Sequence, residues 1–129
     1  MKPSHLRTGT GDELFDYIAN CLGKFLKDNE DLRQNNKMYH LGFTFSYPCE
    51  QKAIDHGVLQ RWTKGFDISG VEGQNVVPMF EAALKRRGVP IKVTAVVNDT
   101  TGTLIASNYA DPNTQIGCIF GTGMIHCII

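Results

Sequence analysis

Apolar and polar positions recur with two different periods along this chain, and the switches between them mark its elements. After Thr10, the residues Leu14, Tyr17, Ile18, Cys21, Leu22 and Phe25 fall at helical spacing, which predicts an amphipathic helix running to about Lys27. Thr10 and Glu13 stand three apart at its start, the spacing at which a hydroxyl and a carboxylate each satisfy an orphan amide. Residues 1–11 read as an irregular lead and 28–37, polar and turn-rich, as a loop. Over 39–46 the pattern changes to alternation, rich in aromatic and branched side chains, which predicts a strand that Pro48 stops. The stretch 50–66 is less regular: Gly57-Val58-Leu59 and Arg61-Trp62 suggest short extended pieces forming a hairpin arm, with a loop over 67–73.

A second helix is predicted over 76–87. Asn75 is its cap and Pro78 falls in the first turn, where a missing amide hydrogen costs little. Val76, Val77, Phe80, Ala83 and Leu84 make its buried face. Lys85, Arg86 and Arg87 complement its negative end, and Gly88 with Pro90 ends it. The branched apolar run 91–97 reads as a strand buried on both faces. A third helix is expected over 101–109 and a turn at Asp111-Pro112-Asn113. A last strand over 116–120 leads into Gly121-Thr122-Gly123. Helices alternate with strands, so the class is α/β, a central β-sheet flanked by helices.

Composition narrows the function classes. At 129 residues, with 42% hydrophobic and 20% charged positions, the chain suits one ordinary globular unit. Thirteen basic residues balance thirteen acidic ones, so no whole-chain field draws it to nucleic acid or an anionic membrane. The first residues lack the apolar core of a secretory signal, and no run approaches a membrane span. The four cysteines are scattered without a Cys-x-x-Cys pair, as in a cytoplasmic chain with reduced thiols. Cys118, His126 and Cys127 fit no common zinc spacing, and no metal site is expected.

Four polar blocks remain that packing does not explain. They are Gly42-Phe43-Thr44-Phe45-Ser46-Tyr47-Pro48, Leu59-Gln60-Arg61-Trp62-Thr63-Lys64-Gly65-Phe66-Asp67, Val97-Asn98-Asp99-Thr100-Thr101-Gly102-Thr103 and Gly117-Cys118-Ile119-Phe120-Gly121-Thr122-Gly123. Taken singly, each has a plain structural reading. Asp99 suits a helix cap, Ser46 a turn before proline, Lys64 a solvated surface and Trp62 a core anchor. Asn98 offers an amide that can both donate and accept a hydrogen bond. The glycines of 121–123 let backbone amides approach an anion.

In this order and spacing, over 12–123, the blocks resemble the sugar-binding half of the eukaryotic hexokinases, and their wording is most similar to the fungal ones. The resemblance implies the small hexokinase domain, related to the actin-like ATPase and ribonuclease H-like folds. It implies transfer of the γ-phosphoryl group of ATP, with Mg²⁺, to the 6-hydroxyl of a hexose such as glucose. It makes Asp99 the general base, taking the hydroxyl proton as the oxygen attacks phosphorus, with the Lys64 ammonium near the reacting oxygen. Ser46, Tyr47, Thr63, Lys64, Asn98 and Asp99 then line the sugar pocket, and Gly121, Thr122 and Gly123 contact nucleotide phosphate.

Two departures stand against the family pattern. The family carries a sugar-binding Asn two residues after its Gly-Thr-Gly, where this chain has Ile125; a hydrocarbon there forfeits hydrogen bonds to a polar ligand. The family also continues into a large domain absent from 1–129, so the chain resembles one jaw of a two-jaw enzyme. That leaves open a truncated, non-catalytic remnant acting at most as a weak hexose-binding or interaction module, or a jaw completed by a separate large-domain polypeptide.

Overall fold

The computed structural model describes residues 4–29, 37–121 and 124–128. After a short 3-10 turn at Ser4–Arg7 come helix α1 (Gly11–Asp28) and strands β1 (Tyr39–Thr44), β2 (Cys49–Ala53) and β3 (His56–Leu59). Helix α2 (Val76–Arg86), strand β4 (Ile91–Val97), helix α3 (Asp99–Ala110) and strands β5 (Ile116–Phe120) and β6 (Met124–Ile128) complete the order. The class is α/β, as expected. Its strands pair two by two: β1 with β4 in parallel, β2 with β3 and β5 with β6 antiparallel.

The helix ends follow from their capping residues. At α1, the Glu13 amide donates to Thr10 Oγ1 at 3.3 Å while the Thr10 amide donates to Glu13 Oε2 at 2.8 Å, the reciprocal pair read from the sequence. At α2, Asn75 Oδ1 accepts from the Val77 amide at 3.2 Å and also from the Gly57 amide at 3.1 Å, so one side chain caps a helix and ties down a strand. The last turn of α2 closes with the Gly88 amide donating to Lys85 O and the Val89 amide to Leu84 O. Gly88 adopts φ 63°, a left-handed conformation that a side chain would disfavour. Residues 30–36, within the expected loop, lie outside the described residues.

Strand β4 departs from expectation in an informative way. Only Val93 and Val96 are buried, three apart rather than two. Leu41 pairs with Val93 but Gly42 with Ala95, so Thr94 is an extra residue in β4. This bulge resets the alternation and brings Val96 onto the core side. The rest of β4 is half-buried or exposed because, among the described residues, the strand pairs along its length with β1 alone.

A hairpin is present, but it joins β2 to β3 rather than Gly57-Val58-Leu59 to Arg61-Trp62: only the 57–59 piece is a strand as expected, and Arg61 and Trp62 lie outside any strand. Trp62 is buried, its indole N–H donating to Ile68 O at 2.9 Å and its amide to Glu72 Oε1 at 2.7 Å. Helix α3 starts at Asp99, two residues before the expected start, because Asn98 caps it. It lies on β5 at Gly117, where a Cβ would come within 2.8 Å of Leu104 Cβ. Beyond Phe120 the chain does not trail off: β6 folds back on β5, with Ile125 opposite Ile119.

One core joins α1, α2, β3 and β4, built on Phe15, Leu59, Val71, Phe80, Leu84 and Val93. Aromatic rings lead out of it. Phe15 stacks on Phe80 at 5.7 Å, Phe80 meets Phe43 at 5.0 Å, Phe43 meets Phe45 at 5.5 Å and Phe45 meets Tyr47 at 4.9 Å. Tyr47 then packs edge-on against Trp62 at 4.8 Å. Offset and edge-on ring pairs of this kind add about 0.5–1.5 kcal/mol each beyond area burial.

Candidate functional site

The ring series ends at a cleft of about 690 Å³, within the usual range for small-molecule sites of roughly 300–1,000 Å³. It opens where β1 and β4 end. Because these strands are parallel, the segments leaving them, Phe45-Ser46-Tyr47 and Asn98-Asp99, emerge side by side, the general position of ligand sites in parallel sheets. The Phe45 amide donates to Val97 O at 2.9 Å and holds the two exits in register. Ser46, Tyr47, Thr63, Lys64, Asn98, Asp99 and Gly121 all line this cleft. Residues from four separated blocks therefore share one wall. Thr122 and Gly123 lie outside the described residues.

Each polar group has a definite local setting. Asn98, not Asp99, is the cap of α3, its Oδ1 accepting the Thr100 amide at 3.0 Å. That commits the Asn98 oxygen and leaves its NH₂ as the group able to meet a ligand. Asp99 is the first residue of α3; its Oδ1 also accepts the Thr100 amide, at 2.9 Å, and among the described residues its Oδ2 accepts no hydrogen bond. The carboxylate sits at the N-terminal end of a helix, where unpaired backbone amides carry partial positive charge.

Lys64 reaches the same space from the turn that follows Trp62. Its backbone is left-handed, φ 59°, followed by Gly65 at φ 75°, and the turn closes with the Phe66 amide donating to Thr63 O at 3.1 Å. Holding a lysine there costs about 1–2 kcal/mol, the kind of strain found where a side chain must be aimed. The ammonium donates to Ser46 O at 3.0 Å and stands 5.6 Å from the centre of the Tyr47 ring, so it is held over Ser46 by a carbonyl and a π-face. Burial raises the Tyr47 phenol above its ordinary pKa, opposed by the nearby Arg7 charge; the ring is a neutral wall at neutral pH. Burial likewise raises the Cys49 thiol.

Gln51, Arg61, Thr101 and Ile119 also line the cleft and were not singled out in the sequence. Arg61 adjoins Trp62-Thr63-Lys64, and that adjacency is a signal that could have found it. Ile119 follows from alternation along β5. Nothing local marks Gln51, since Glu50-Gln51-Lys52 has the wording of a solvated strand face.

A carboxylate, an ammonium, an amide and several hydroxyls thus face a largely apolar cleft, an arrangement able to hydrogen-bond a small polar ligand. The chain belongs to the hexokinase family, whose sequence profile matches residues 1–109. It is 59% identical to the hexokinase of Emericella nidulans over 122 residues, covering 95% of this chain and 25% of that protein. It is 55% identical to the hexokinase of Kluyveromyces lactis, with the same coverage of each chain. The solved hexokinase of Schistosoma mansoni, complexed with glucose, superimposes with a TM-score of 0.89 at 46% identity, over 98% of this chain and 28% of that one. The chain thus spans about a quarter of the length of these relatives.

Proposed function

We propose that this chain carries the sugar-binding half of a hexokinase site, and that the protein phosphorylates the 6-hydroxyl of a hexose with ATP. The observation carrying the proposal is the convergence of Ser46, Thr63, Lys64, Asn98 and Asp99 on one cleft from three distant stretches of sequence. The glucose bound in the Schistosoma mansoni relative makes glucose the first hexose to test.

In this reading the Asn98 NH₂, the Ser46 and Thr63 hydroxyls and the Lys64 ammonium bind and orient the sugar. An alcohol is far too weak an acid to yield its proton to a carboxylate in the ground state. As O6 bonds to the γ-phosphorus and the bond to ADP breaks, that proton becomes acidic and passes to Asp99. Lys64 stabilises the negative charge that develops around the transferring group. The positive end of α3 and the Gly121 backbone favour the nucleotide phosphates on the same side. Magnesium enters with the nucleotide as part of the substrate; the described residues offer no group of three His, Cys, Asp or Glu side chains to hold it.

Titration of the isotope-labelled chain with glucose tests the binding half of the proposal. The resonances of Ser46, Thr63, Lys64 and Asn98 are expected to move first and to saturate together. Shifts confined to α2, or none at glucose concentrations up to about 100 mM, where affinity is weaker than about 1–2 kcal/mol of net binding, would remove the site.

A further inference from the structure

We propose that Gln51 is a positioning residue that fixes the Asn98-Asp99 corner through the backbone of Val96. Among the described residues, β4 pairs along its length with β1 on one edge only. On the other edge Val96 is held twice by the β2–β3 hairpin. Its amide donates to Ile54 O at 2.7 Å, and its carbonyl accepts from Gln51 Nε2 at 2.8 Å. A glutamine amide therefore takes the place of a missing strand partner, two residues before Asn98.

Gln51 can do this because the hairpin is irregular there. Cys49 pairs with Leu59 and Glu50 with Val58, but the register then shifts before Ala53 pairs with His56. Such a bulge re-aims a side chain out of the strand's alternation. The hairpin also lies unusually close to β4: a Cβ on Gly57 would stand 2.9 Å from Val96 Cγ1. The hairpin is also anchored by the Gly57 amide on Asn75 Oδ1, at 3.1 Å, so it is a braced support rather than a loose flap. Gln51 follows Ser46 by five residues in one continuous segment. The bond to Val96 O therefore sets the spacing between the segment bearing Ser46 and the corner bearing Asn98 and Asp99.

The test uses the 129-residue chain and has two arms. Without ligand, Gln51→Met removes the donor at nearly constant volume. It should speed hydrogen exchange at the amides of Val96 and Thr100 by about fivefold to tenfold, the loss of one ordinary hydrogen bond, while Leu84 in α2 is unchanged. Gln51→Lys retains a donor and should restore exchange to within about twofold of the parent. Gln51→Glu, which sets acceptor against acceptor, should be worse than Met.

The second arm rests on the hexose reading. Gln51→Met should weaken glucose binding about fivefold, and the same change in an Asn98→Ala background should add almost nothing, since both act through one corner. Unchanged Thr100 exchange in Gln51→Met, or a full additional loss in the Asn98→Ala background, would overturn the proposal. A parent chain that binds no glucose would count against the hexose reading alone, and the exchange arm would then decide the role of Gln51.

Discussion

At the scale of single residues, the site divides two tasks that a sequence cannot separate. Asn98 and Asp99 are adjacent and both suit a helix cap. The backbone makes Asn98 the cap and Asp99 the first helical residue, which frees the carboxylate from a purely structural duty. Asp99→Asn keeps the shape and an acceptor for the Thr100 amide but cannot take a proton. Placed in the frame of the Emericella nidulans hexokinase with Ile125→Asn, this segment should therefore fold and bind glucose. Steady-state assays of the Asp99→Asn form should show turnover reduced by about 10²- to 10⁴-fold. Turnover within about threefold of the parent, in a variant that still binds sugar, would take Asp99 out of the mechanism, because a merely capping role tolerates Asn as well as Asp.

At the scale of elements, the site exists because two parallel strands end side by side and a hairpin braces one of them. Asn75 is the joint of that brace, accepting from both Val77 and Gly57. Asn75→Ala leaves both donors without that acceptor and should lower the unfolding free energy by about 2 kcal/mol, while Asn75→Asp, which still accepts, should lose well under half of that. Denaturant unfolding monitored at Trp62 measures both. Much of this scaffold was legible beforehand: the capping box at Thr10 and Glu13, the cap at Asn75 and the stop at Gly88 each depend on a few neighbouring residues. What stayed hidden depends on pairing between distant strands. The extra Thr94 in β4 appears only against its partner β1, and the reach of Gln51 to Val96 only once β2 lies beside β4. The return of β6 onto β5 is likewise a pairing of strands that nothing in the local sequence dictates. The candidate site residues were read from the order of their blocks, whereas the commitment of the Asn98 oxygen to capping followed only from backbone geometry.

At the scale of the whole molecule, charge and completeness set the expected behaviour. Asp16 on α1 accepts from Arg86 and Arg87 of the α2 terminus, each at 2.8 Å. Partial desolvation raises its pKa, but the two guanidinium bonds outweigh it and hold the carboxyl below its ordinary 3.8. A depressed folded pKa contributes stability above the unfolded value and loses it as pH falls through the folded one. Asp16→Asn should therefore lower the melting midpoint at pH 7, with the gap to the parent closing below about pH 3.8, and added salt should narrow it at neutral pH because these groups are partly exposed. The final expectation concerns turnover. In the proposed reading the cleft supplies a base, an ammonium and sugar ligands, yet the chain spans only about a quarter of its relatives, and phosphoryl transfer relies on positioning and electrostatics that surround both substrates. A sugar held from one side also leaves the reacting phosphate open to water, which weakens every charge interaction in the site. The 129-residue chain alone should thus bind glucose weakly and turn over far below the usual range of about 1–10³ per second. Joined to the remaining sequence of a relative, it should regain turnover in that range. A coupled glucose and ATP assay on material free of host hexokinase compares the two, and full activity in the chain alone would show that this cleft is sufficient without a second wall.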